Sequence, residues 1–180
     1  ATHVGIKGKA RITVVYEQDI IDDAVDPTLV EAFEGASPVD AEIPAIEYPL
    51  DGVTVPRNLD GLAFTWSVPV EADVSRIRLQ SEITDIRVYV NGSEWVSDSD
   101  LWAIIAAANT EGSVEVTVES AEWNGADLTN VQRGPSMQLT VNRLDARGSV
   151  LYWVARAEGA PVEGGEPPEP SGDIMRIPFG

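Results

Sequence analysis

Cysteine is absent from the chain, so neither disulfides nor thiolate metal sites are available to it. Histidine occurs once, as His3 near the N-terminus. Hydrolysis through a Ser-His-Asp or Cys-His arrangement needs a base placed beside the nucleophile, and this composition offers no candidate pair. Positive charge is also scarce: 12 Lys and Arg face 30 Asp and Glu, a formal charge of −18. Nucleic acid and anionic membrane surfaces are recognised through cationic patches, so neither is an expected partner. No apolar run reaches transmembrane length, which argues against membrane insertion. The chain shows no signal peptide, and its start at Ala1 without methionine fits either a processed or a trimmed chain.

What is present suits one folded domain with an appendage. The 180 residues are 43% hydrophobic, enough for a core. The organising stretch is Tyr48–Trp66, YPLDGVTVPRNLDGLAFTW. Asp51-Gly52 and Asn58–Gly61 are turn signals. Val53–Val55 favours a strand stopped by Pro56, and Leu62, Phe64 and Trp66 alternate with small or polar residues. Further alternation marks Ile77 and Leu79, then Ile86 and Val88, then Val114, Val116 and Val118, then Leu139 and Val141. These residues are the expected core of a β-sandwich, because many short strands at regular spacing indicate that fold. Asn91-Gly92 predicts a hairpin, with Glu94–Val96 as the returning strand. One short α-helix is expected over Asp100–Ala108, with Ser97–Asp100 offering caps and Leu101, Ile104, Ile105 and Ala108 a buried stripe.

Ahead of this, Arg11–Tyr16 predicts a strand, and Thr28–Phe33 a short helical turn started by Asp26-Pro27. Pro38 and Pro44 mark 36–45 as a linker. At the other end Val150–Ala157 is apolar on both faces, and Glu158–Ser171 is a Gly/Pro/Glu-rich loop that cannot bury a core. Ile174–Phe179 is strand-like again. The expected division is therefore an N-terminal strand and linker segment (1–45), a sandwich (46–147) and a C-terminal hairpin (148–180).

The stretch beginning at Tyr48 resembles a segment, roughly YPxDGxxxPxNxxxLxxxW, of large secreted bacterial proteins, where it opens an immunoglobulin-like or fibronectin-III-like domain. The matching residues are Tyr48, Pro49, Asp51, Gly52, Pro56, Asn58, Leu62 and Trp66. Thr84–Tyr89, Trp102 with Asn109, and Tyr152-Trp153 with Ile174–Arg176 extend the likeness over roughly residues 46–180. In such proteins the domain commonly precedes a TolB-like β-propeller. The resemblance implies an extracellular, cell-surface or periplasmic location, and a terminal hairpin like the first of a propeller.

Three candidate sites follow. Asp19, Asp22, Asp23 and Asp26 supply oxygen ligands of the kind calcium takes, but their spacing is not that of an EF-hand loop, and a solvated acidic loop capping a helix is the simpler explanation. No other cofactor is indicated. Trp95 and Trp123, next to the turn residues Asn91 and Asn124, are the candidate platform for a glycan. Tyr152, Trp153, Ile174 and Phe179 are the candidate interface of the hairpin, for another protein chain or for a second copy, and Leu151–Ala157 or Ile174–Phe179 is expected to pair with such a chain or with the N-terminal strand Arg11–Tyr16. The resulting expectation is a non-catalytic module for protein–protein interaction or extracellular assembly. The alternative is a carbohydrate-binding module using exposed tryptophans.

Overall fold

A computed structural model describes residues 13–156 and 171–179, with side chains to residue 147. In chain order the elements are β1 (Tyr16–Ile21), α1 (Leu29–Gly35), β2 (Val39–Asp40), β3 (Ala45–Tyr48), β4 (Val53–Pro56), β5 (Ala63–Ser67), β6 (Val74–Gln80), β7 (Thr84–Asn91), β8 (Glu94–Val96), α2 (Ser99–Ala108), β9 (Ser113–Trp123), β10 (Leu128–Arg133), β11 (Met137–Asn142), β12 (Gly148–Arg156) and β13 (Ser171–Phe179). The protein is mainly β, with two short helices and a sandwich-like arrangement of two sheets.

The larger sheet has eight strands. Its path runs β1-β7-β6-β9-β10-β2, and β11 joins β9 to β4. The long strand β9 organises it: β6 runs antiparallel along one side, while β11 and β10 divide the other side between them. The smaller sheet is β3-β5-β8. Between the sheets lies the main core, which contains all twelve residues expected from alternation: Leu62, Phe64, Trp66, Ile77, Leu79, Ile86, Val88, Val114, Val116, Val118, Leu139 and Val141.

Helix α2 closes this core. Asp98 caps it, accepting a 2.7 Å hydrogen bond from the Leu101 N–H, which satisfies one of the free donors of the first turn. The buried stripe differs from the expected one. Leu101, Trp102, Ile105 and Ala106 are buried, whereas Ile104 is 40% exposed. The helix is turned to bury the Trp102 indole, the largest apolar side chain it carries, at the expense of Ile104.

Three further expectations need correction. The N-terminal strand starts at Tyr16, so residues 13–15 precede it, and Arg11 and Ile12 lie outside the described residues. It extends through Asp19 to Ile21 because it pairs in parallel with β7, from Tyr16↔Thr84 to Ile21↔Tyr89. Its inner residues Tyr16 and Ile20 pack on the main core, and its acids Glu17 and Asp19 are neutralised by Arg87 of β7. Second, β8 does not return along β7. Gly92 adopts φ 98°, open to glycine at no steric cost, and the chain crosses to the smaller sheet, where β8 pairs with β5. Third, β1 does not pair with the C-terminal strands; β12 and β13 pair with each other.

A second cluster, Val25, Leu29 and Phe33 against Val74, Tyr89 and Ala121, seats α1 on the outer face of the larger sheet. The segment read as a linker holds β2, which pairs in parallel with the end of β10. At Gly134 a Cβ would run into the Pro44 carbonyl, so only glycine lets these two loops meet.

Candidate interaction site

The four aspartates are not brought together. Asp19 lies on β1 and pairs with Arg87. Asp22 accepts the Ala24 N–H at 2.9 Å, an aspartate turn. Asp26 accepts from the N–H and hydroxyl of Thr28, at 2.9 and 2.7 Å, ahead of α1, and these hydrogen bonds hold its carboxyl below the usual range. Asp23 is exposed. Among the described residues no three acidic or histidine side chains converge as a cation would require.

The tryptophan–asparagine pairs are likewise separate. Trp95 is half-buried and stacks on Phe64, ring centroids 5.7 Å apart at 21°, as part of the main core. Trp123 is half-buried in the second cluster beside α1. The amide of Asn91 donates to the Ala24 carbonyl at 2.9 Å, and Asn124 accepts from the N–H groups of Ala126 and Asp127. The two indoles thus belong to different layers; the Asn91 amide ties its turn to the segment before α1, and Asn124 closes its own turn.

Unforeseen in the sequence is an ionic layer on the outer face of the larger sheet, next to α1. Glu119 is buried between Arg76 and Arg133. Arg76 also reaches Glu34 of α1 at 3.2 Å and lies over the Phe33 ring, 5.2 Å from its centre. Arg78 and Asp85 form a two-pronged pair with both contacts at 2.7 Å. The only trace in the sequence was the polar half of the alternation, Arg76 and Arg78 against Thr117 and Glu119. A shallow 210 Å³ depression lies here, lined by Arg76, Arg78, Gln80, Glu115, Thr117 and Arg133 among others. Carboxylates already engage its arginines, so the layer acts as cross-strand adhesive rather than as an anion site.

This layer gives a pH prediction. Hydrogen bonding to Arg78 holds the Asp85 carboxyl below its ordinary 3.8. A lowered folded value means that the pair stabilises fully above the ordinary carboxylate range and that this contribution is lost as pH falls through the folded value. Asp85→Asn should therefore reduce stability at neutral pH and flatten its loss below about pH 3.8. Urea midpoints of parent and variant from pH 7 to 2 check this; parallel curves would contradict it.

A 960 Å³ groove between α1, β2 and β10 is lined by residues including Glu31, Ala32, Val39, Asp127, Leu128 and Val131. The strand beside it is irregular: register shifts between Thr129 and Gln132, and Asn130 has φ 53°. Such a bulge blunts a sheet edge against further pairing.

The C-terminal strands form a two-stranded antiparallel sheet of their own, nine residues on each side. Register sets Tyr152 opposite Met175 and Val150 opposite Ile177 on one face. Trp153 lies opposite Ile174, and Leu151 opposite Arg176, on the other. Three of the four candidate interface residues, Tyr152, Trp153 and Ile174, thus sit in adjacent rungs, while Phe179 pairs with Gly148 at the base. Comparison of the chain with protein-family models, curated proteins and solved structures gave no match. No helix among the described residues is long and apolar enough to cross a membrane.

Proposed function

We propose that this chain is a non-catalytic sandwich module for protein–protein interaction or extracellular assembly, and that the β12–β13 ribbon is the element that engages another protein chain or a second copy. The observation that carries this reading is the separateness of the ribbon: among the described residues its strands pair with each other and with no strand of the two sandwich sheets. A lone two-stranded sheet is marginal in water, and strands with apolar residues on both faces need cover on both. A partner strand along one edge, or an apolar surface over one face, supplies that cover. The Ig-like resemblance supports an extracellular, cell-surface or periplasmic setting. The lack of cysteine and the single histidine support a binding role over a hydrolytic one.

The test is association. Sedimentation velocity over a concentration series should show reversible association of the full chain, or of the chain with its partner. Trp153→Glu with Ile174→Glu should abolish it while leaving the sandwich's thermal transition in place. Association unchanged in the double variant would refute the reading.

A further inference from the structure

The ribbon is joined to the sandwich in an unusual way. Strand β11 runs parallel to β4 up to the pair Asn142↔Pro56. Pro56 has no N–H, so it cannot donate to the ladder. Beyond it the pairing is continued by side chains. The Asn58 amide donates to the Ala146 carbonyl at 3.0 Å and accepts the Ala146 N–H at 2.7 Å, taking both backbone groups of one residue as a strand neighbour would. Beside it, Arg57 Nε and Nη2 donate to the two carboxylate oxygens of Asp145, at 2.6 and 3.3 Å. Both contacts raise the proton affinity of Arg57 and lower that of Asp145. Four bonds thus converge on two consecutive residues, and only Arg147 separates them from the first residue of β12.

Segments between separate units ordinarily make few contacts, and relative motion is the default. From this geometry we infer that Asn58 and Arg57 are positioning residues that hold the root of the ribbon and fix its direction from the sandwich. The inference rests on the ribbon being the engaging element: a partner strand meets a presented edge rather than a swinging one, which lowers the ordering cost of binding. Neither Asn58 nor Arg57 needs to touch the partner.

The chain contains no cysteine, so two introduced ones are the only labelling points. Val70→Cys, at a site 97% exposed on the sandwich, and Ser171→Cys, paired with Arg156 at the far end of the ribbon, carry nitroxide labels. Pulsed dipolar spectroscopy of the doubly labelled full chain, diluted to the monomer, reads the distance distribution between them. The parent should give one narrow distribution. Asn58→Ala should roughly double its width, as the joint returns to ordinary interdomain mobility, while the sandwich's thermal transition is retained. Asn58→Asp, which can accept from the Ala146 N–H but cannot donate to its carbonyl, should fall between. If Asn58→Ala lowers the sandwich transition, Asp145→Ala, which removes only the exposed pair, should still broaden the distribution. A broad distribution in the parent, or variants as narrow as the parent, would overturn the inference. The measurement is made on monomer, so a fixed ribbon that binds nothing would count against the proposed function and leave the joint standing.

Discussion

Trp66→Ala is expected to cost about 3–5 kcal/mol, the range for emptying a large aromatic side chain from a packed interior. Trp66 is 2% exposed and sits between the sheets. Its role is more than volume. The indole N–H donates to the Ser75 hydroxyl at 3.2 Å, which also contacts the Ser120 hydroxyl and the Gly92 carbonyl, both at 3.0 Å. The indole therefore roofs a small buried polar group on β6 and β9. Alanine leaves a cavity above it and removes one of its partners, and an unmet buried polar group carries its own penalty. Trp66→Phe keeps much of the volume but not the donor, and should lose clearly less. Urea unfolding with unchanged slope checks both, and a loss under about 1 kcal/mol for the alanine variant would contradict the packing described.

The second large effect is expected at Glu119. Its side chain is 6% exposed and that of Arg76 is 10% exposed. Arg76 donates to it through Nε at 3.0 Å and Nη2 at 2.5 Å, and Arg133 through Nε at 2.8 Å. Breaking a buried pair strands the remaining charge, at about 3–5 kcal/mol. Glu34 at 3.2 Å and the Phe33 ring still face Arg76, so Glu119→Ala should fall at the lower end, about 3 kcal/mol. Replacing both partners, Arg76→Met with Glu119→Leu, should cost less than the single change, because well-packed apolar residues avoid the desolvation of both ions. Equal losses for the single and double variants in urea unfolding would show that the pair contributes nothing beyond packing.

These two sites show where the sequence was informative and where it was not. Trp66 and the other eleven core residues stand at alternate positions of short strands, and alternation reports which face is buried whatever the partner strand. Glu119 occupies the polar half of the β9 pattern, and nothing local distinguishes it from Glu115, which remains exposed. Glu119 is buried by the arginines that close on it, Arg133 of β10 and Arg76, which itself lies against Phe33 and Glu34 of α1, all placed there by the fold rather than by the local pattern. Asn91-Gly92 marked a real turn, but the same turn chemistry serves a hairpin or a crossing between sheets, and β8 took the second course. Helix α2 was legible in extent and cap, while its rotation depended on where Trp102 found room. For the candidate sites, Trp95 and Trp123 stand beside turns, and turn residues do not report what packs on an indole: both are half-buried. Phe64 and the α1 cluster, distant in sequence, pack against them.

The central claim is that the ribbon is a separate element, formed in the monomer but less stable than the sandwich, and that association stabilises it. Amide hydrogen exchange on the full chain at low and at high concentration, with partner added where one is in hand, tests it most directly. The amides of β6, β7 and β9, bonded on both sides in the larger sheet, should be protected under every condition. Those of β12 and β13, paired only with each other, should exchange faster than these in dilute monomer, through brief openings of a formed ribbon, and slow on association. Ribbon amides protected as strongly as those of β9 in dilute monomer would contradict the account, because the ribbon would then be part of the sandwich's own cooperative unit.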